Sequence, residues 1–286
     1  MTDWIRRFQQ FVARKEAEAV ASEIPPFSTE VDQPNRDVVA IGNSWSRTLF
    51  DGPWYMSRET SGELPSTSLV FVQSRNGNTG AKNPATLGGG TADSHLIYEG
   101  LSRVAADAVM SGAETVRGGR LMFSVWHPEL VALRAELGLP RHPIQIVATL
   151  RGLEFDDSLI LNVPELRVVV LTIAPCSAVM HHALAPRPWI TPVLMKDARD
   201  LAGAFHQLHR LGVRRISCIG GRTIARQLID ARLIHDMYLT TSPKEGGEPN
   251  TPMYPKPLTG ELVVRKRGTG RDAGVEFEHR THLRPS

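Results

Sequence analysis

The sequence has little cysteine: two residues in 286, Cys176 and Cys218. They form no C-x-x-C pair, and no Cys/His cluster has zinc spacing, so no metal site is expected. No apolar run reaches about 18 residues, so nothing is expected to span a membrane. The N-terminus lacks a basic segment followed by an apolar one, which argues against a signal peptide. A soluble, cytoplasmic protein is the expectation. Long Lys/Arg runs are missing too, although the formal net charge is +3. The densest stretch, Arg265-Lys266-Arg267, reads as a solvated turn, and no nucleic-acid footprint is visible. What is present is 41% hydrophobic and 22% charged residues, enough for a sizeable core and too ordered a mix for a disordered chain. The small positive excess suits an anionic substrate or cofactor.

Asp3 to Glu23 reads as a helix with one apolar stripe, Trp4, Phe8, Phe11 and Val12, stopped by Pro25-Pro26. Residues 25–66 are rich in Pro, Ser, Asn, Asp and Gly, with aromatic islands at Trp45, Phe50, Trp54 and Tyr55; they read as an irregular arm docked by its aromatics. Residues 1–67 are thus a helix and arm, and 68–286 the main domain. From Ser68 strands and helices alternate. Strands are expected at Leu69–Val72, Asp107–Ser111, Ile144–Thr149, Arg167–Thr172, 214–219 and Asp236–Thr240, with 167–172 central as the most β-branched. Helices are expected at Ser94–Ala105, Asp197–Leu211 and 223–231. Gly260 to Leu283 reads as antiparallel strands around a Gly268–Gly274 turn. The fold class is α/β: a mixed sheet, mostly parallel, with antiparallel C-terminal strands and helices on both faces.

The most informative segment is Arg214-Arg215-Ile216-Ser217-Cys218-Ile219-Gly220-Gly221, a buried strand ending in two glycines, followed at once by an amphipathic helix. Such a turn puts backbone N–H groups at the positive end of a helix dipole, where a phosphate can bind. It can also be a tight turn that needs positive φ and binds nothing. The loop Gly88-Gly89-Gly90-Thr91 could wrap an anion but lacks the lysine of a P-loop, and reads as a pocket rim. His181-His182 reads as a polar loop and His95 as a surface residue. Ser102, Ser124 and Ser217 lack the glycines of a nucleophile elbow, so hydrolase chemistry is unsupported.

Several segments, in this order, resemble the reductase domain of bacterial riboflavin biosynthesis, whose fold is like that of dihydrofolate reductase. They are Val72-Gln73-Ser74-Arg75-Asn76-Gly77, where that family has Ser-x-Asp-Gly; Arg103 with Asp107-Ala108 and Gly112-Ala113-Glu114-Thr115-Val116; His142-Pro143 with its strand; Ile219-Gly220-Gly221 with Leu233, Ile234 and Asp236; and Thr241-Ser242-Pro243. The resemblance covers about residues 68–283. It implies a dihydrofolate-reductase-like sheet and NADPH as cofactor across the carboxyl ends of the strands. The backbone of Gly220, Gly221, Arg222 and Thr223 would hold the pyrophosphate. Ser111, Gly112, Ala113 and Thr115 would border the nicotinamide and ribose, and Thr149 and Arg151 would meet the adenosine 2′-phosphate, although Arg151 also reads as an exposed loop arginine. Ser74 and Asn76 could orient a substrate carbonyl or amide, and Arg103 and Arg120 could bind a phosphate or carboxylate; a purely structural role is open for each. A homodimer is implied, paired through sheet edges and the C-terminal strands.

Two departures bear on the substrate. The aspartate of Ser-x-Asp-Gly is Asn76 here, and the acidic residue that often precedes Gly-Gly is Ile219. Loss of two carboxylates changes what a polar ring or ribose can hydrogen-bond. Residues 1–67 contain neither cysteine nor histidine, so they cannot be the zinc deaminase often fused to such reductases. The expected function is hydride transfer to a small heterocyclic or ribosyl-imine substrate. The alternatives are a repurposed, non-catalytic nucleotide or partner binder, or a pterin reductase, although no convincing acid stands out in the first helix.

Overall fold

The computed structural model describes residues 2–59, 62–117, 119 and 121–285. Its strands are β1 (Phe27–Asp32), β2 (Val38–Ile41), β3 (Trp54–Ser57), β4 (Ser66–Gln73), β5 (Ala108–Gly112), β6 (Ile144–Ala148), β7 (Val168–Ile173), β8 (Ile190–Met195), β9 (Arg215–Gly220), β10 (Asp236–Thr241), β11 (Leu258–Gly268) and β12 (Glu276–Pro285). Ten of them form one sheet in the order β1-β11-β12-β10-β4-β9-β5-β6-β7-β8, and β2 and β3 pair separately. From β10 to β8 every pairing is parallel; β12, β11 and β1 extend the sheet antiparallel. This is the mixed, mostly parallel α/β sheet expected.

Each face carries its own core, as a parallel sheet requires. On one, helices Leu201–Arg210 and Arg222–Asp230 bury Phe205, Leu208, Leu228 and Ile229 against Leu69, Met110, Ile146 and Cys218. On the other lie helix Thr2–Ala21, the β2–β3 hairpin and the helix Ala92–Leu101, whose π winding continues as one α-turn through Val104. The arm is more regular than its composition suggests. Residues 27–57 form β1, the hairpin and the helix Ser44–Phe50, and Phe27, Phe50 and Trp54 pack on Phe277 and Tyr238.

Four further readings change. Val168–Ile173 lies second from the sheet edge, because β8, which composition did not reveal, covers it. A helix, Pro128–Glu136, likewise fills a stretch for which none was expected. His181 and His182 sit in the last turn of helix Ala174–Leu184 rather than in a loop. Arg265-Lys266-Arg267 is strand, not turn: Arg265 and Arg267 face Glu278 and Glu30, while Lys266, fully buried, donates to Thr29 Oγ1 at 2.7 Å and Asp51 O at 2.8 Å. Burial pulls its ammonium down to about 8, against the pull of Asp32 and Asp51.

Candidate functional site at the carboxyl edge

Strand β9 ends with both glycines at positive φ, Gly220 at 125° and Gly221 at 78°. A side chain at either position would be strained, so the sequence Gly-Gly follows from the backbone path. A bulge at Ile219 shifts the β5–β9 register so that Ser111 pairs with Gly220. The Gly220 amide turns back to the buried Cys218 thiol, which burial pushes up to about 12. Beyond it, Gly221 and Thr223 are exposed. No side chain caps helix Arg222–Asp230, no acidic residue stands in its first turn, and the bond from Ala225 N–H to Gly221 O closes its first turn. The amides of Arg222, Thr223 and Ile224 therefore point out unpaired by the helix. The nearest atom to a Cβ placed on Gly220 is Phe71 Cζ at 4.0 Å, so no side chain plugs the turn.

The neighbouring strand ends converge on this turn. Gly112 pairs with Ala148, and a Cβ on Gly112 would meet nothing within 4 Å. Ala113 and Thr115 follow in the short helix Ala113–Val116. At the end of β6, Thr149 Oγ1 donates to Gly152 O at 2.8 Å and accepts from the Arg151 amide, which leaves the Arg151 side chain exposed. Arg222 lies 3.7 Å from Glu248. Gly112, Ala113, Thr115, Thr149, Arg151 and Gly220 to Thr223 are thus brought to one edge.

The other expected residues are placed differently. Ser74 is fully buried, and its hydroxyl meets Asn76 Oδ1 at 2.5 Å and Gly246 O at 2.9 Å, lacing loop 74–80 to loop 244–251. Asn76 is exposed on that loop. Arg103 is sealed inside: its guanidinium lies 4.3 Å from the Tyr98 ring and donates to Ser124 O at 3.1 Å, at a distance from the edge. Arg120 lies outside the described residues.

Sequence reasoning missed an acid. Asp93, in the first turn of the π-helix, is half-buried over the carboxyl end of β10, where Thr240 Oγ1 donates to its Oδ1 at 2.5 Å. Burial pushes its carboxyl up to about 7; the Thr240 bond opposes this and the charge of Asp272 adds to it. Its Oδ2 faces Gly89, where a Cβ would stand 2.8 Å away. A Cβ on Gly90 would run into Asp272 Oδ1, and Asp272 Oδ2 accepts the Ala92 amide at 2.8 Å. The glycine loop thus packs against two of the protein's own acidic side chains, Asp93 and Asp272. A Gly-Gly-Gly-Thr-Ala-Asp run gives that away only if the loop is read as a frame for Asp93. With β4 between β10 and β9, Asp93 stands on the order of 10 Å from the Gly220 turn.

Among the described residues no group of three or more His, Cys, Asp or Glu could hold a metal ion, and no helix is long and apolar enough to cross a membrane.

Comparison with known proteins follows the fold. A pyrimidine reductase-like protein of Corynebacterium diphtheriae aligns over 78% of this chain and 93% of its own, with 19% identity and a TM-score of 0.56. RibD of Acinetobacter baumannii aligns over 79% of this chain but 59% of its own, with 16% identity and a TM-score of 0.57. A riboflavin biosynthesis reductase of Saccharomyces cerevisiae aligns over 79% and 93%, with 14% identity and a TM-score of 0.54. At such identities these structures share the fold. Nothing among curated proteins matches this chain. The RibD C-terminal domain matches residues 84–268, from the loop before the π-helix to the end of β11. That match takes in most of the chain, which belongs to the RibD C-terminal domain family, the riboflavin-biosynthesis reductases that its motifs resemble.

Proposed function

We propose that the protein is an NADPH-dependent reductase whose dinucleotide lies across the carboxyl edge of β9, β5 and β6. One observation carries this reading: an exposed, uncapped helix N-terminus follows two positive-φ glycines, with open backbone beside it. A diphosphate suits that turn, because three free amides and the helix dipole favour an anion there. Arg151 adds positive charge beside it, while Arg222 is paired with Glu248. Gly112 and Ala113 offer a flat wall for an aromatic ring, and Arg151 at the end of β6 suits a 2′-phosphate by its forked donors. When bound, a reduced nicotinamide supplies the hydride.

The chain's own work is then to orient, to exclude water and to deliver a proton. The laced loops 74–80 and 244–251 wall the substrate side. Asp93, raised to about 7, is protonated in about half of the molecules at neutral pH and can pass that proton from Oδ2 to the nitrogen or oxygen beside the carbon being reduced, drawing another from water. This favours a C=N or C=O acceptor in a small heterocycle or an opened ribosylamine. One solved relative in fold is described as a 5-amino-6-(5-phosphoribosylamino)uracil reductase, and that aminouracil is the first substrate to try. Asp93 equally serves a pterin ring, which is the second. In this reading a homodimer would pair through β1 or β8, since β1 already covers the outer edge of β11.

Titration with NADPH, followed by nicotinamide fluorescence, tests the cofactor. Binding below about millimolar is expected, and none at that concentration removes the proposal. NADPH oxidation with the aminouracil and with a dihydropterin then chooses the substrate.

A further inference from the structure

We propose that Asp272 is a positioning residue that sets a negative charge across the Gly89–Gly90 loop from Asp93, and that the N-terminal arm fixes Asp272 in place. The proposal rests on the reading of Asp93 given above and extends it to residues that touch neither cofactor nor substrate.

The chain of contacts is continuous. Asp272 closes the turn between β11 and β12. The arm grips that turn just before β1. Pro26 O accepts the Thr269 amide at 3.1 Å and the Thr269 hydroxyl at 2.6 Å, and Glu23 O accepts the Arg271 guanidinium. Pro25 packs under Gly270, and Phe27 then pairs with Gly268. Within the turn, the Asp272 amide donates to Thr269 O at 3.0 Å. The Asp272 carboxylate, 5% exposed, is thereby aimed at Gly90 and Ala92, beside Asp93.

The groups around Asp93 are few. Thr240 comes from β10 and Val72 from β4. Tyr98 is five residues on, one π-turn along the same helix, and its hydroxyl is itself pushed up by burial. The aliphatic stem of Lys244 lies over Gly88, and Arg271 points away to the arm. The one negative charge facing Asp93 from another element is Asp272, among the described residues that perturb it. Burial is the main cause that raises the Asp93 carboxyl, and like charge across the shared loop adds to it. The arm thus contributes to the chemistry at a distance, by holding a charge.

Asp272→Asn separates charge from structure, because the amide oxygen still accepts the Ala92 N–H. The measurement is the 13C shift of the Asp93 carboxyl against pH, assigned by its loss in Asp93→Asn, in the full chain without cofactor. Asp93 should titrate about half a unit lower in Asp272→Asn, and near its original pH in Asp272→Glu. The double change Thr269→Val with Arg271→Ala, which frees the turn from the arm, should also lower it. An unmoved titration in Asp272→Asn overturns the role of Asp272, and an unmoved one in the double variant overturns that of the arm. In turnover assays the fall of rate on the alkaline side should move down with it, roughly threefold at pH 8. Failure of NADPH to bind would remove the reductase reading and leave the carboxyl shift to be judged on its own.

Discussion

Two aspartates stand near opposite ends of β10, and the protein treats them in opposite ways. Asp236 begins the strand and is completely buried. Its Oδ2 accepts the Ser57 amide at 3.0 Å and hydroxyl at 2.7 Å, the Tyr238 hydroxyl at 3.4 Å, and pairs with His279 Nε2 at 3.3 Å. Burial pushes this carboxyl up, but His279, Ser68 and Ser57 together hold it below its ordinary value. Asp93 lies over the strand's other end with one side-chain donor, and burial wins. The number of donors, more than burial itself, decides whether a carboxyl is ionised. At the amino end Asp236 is an anchor for the arm, beside a small cavity of about 20 Å³ lined by Ser66, Ser68, Ser217 and Tyr238. At the carboxyl end the three helix amides have no partner within their helix, and Asp93 has the Thr240 hydroxyl as its side-chain donor.

The comparison can be broken most forcefully at Asp236. Asp236→Ala leaves Ser57 and His279 without their common acceptor and should cost about 3–5 kcal/mol of unfolding free energy, measured in urea. A loss below about 1 kcal/mol would mean that the network is not an anchor. At the other end, Asp93→Asn should lower turnover roughly 100-fold or more while leaving NADPH affinity unchanged. An unchanged rate would assign the proton to water.

The same two residues should bend stability in opposite directions with pH. Asp236 is held below its unfolded value of 3.8, so its contribution is present above that pH and fades as pH falls below it. Asp93 is raised from 3.8 to about 7, so the folded state holds the extra proton and loses stability as pH climbs through that window. Asp93→Asn should therefore stabilise the protein by about 1–2 kcal/mol at pH 8 and by almost nothing at pH 4. Equal effects at both pH values would show that Asp93 titrates as an ordinary carboxylate.

Smaller in expected effect is the glycine turn. Gly221→Asp should weaken NADPH by about tenfold through repulsion, beyond what Gly221→Ala loses through strain at positive φ. Equal losses would mean that the turn is conformational only.

Much of this was legible in the residues. Ile216-Ser217-Cys218-Ile219-Gly220-Gly221 announced strand, turn and helix because apolar run and missing Cβ atoms both act locally. β7 was visible from Val168 to Thr172, but its place in the sheet was not, since strand order is set by packing across the whole chain. Lys266 looked solvated because its partners, Thr29 and Asp51, come from the arm more than 200 residues earlier. Asp93 stayed hidden for the same reason: Thr240 and Asp272 reach it only once β10, β11 and β12 are assembled. Local signals reveal backbone sites, while side-chain chemistry built from distant segments needs the fold.

Backbone amide shifts under NADPH titration test the central claim most directly. The account predicts that the resonances of Gly221, Arg222, Thr223 and Ile224 move first and furthest, while Ser57 at the opposite end of the strands stays still. Saturating cofactor that leaves those four amides unmoved, or that moves the amino end instead, would contradict it.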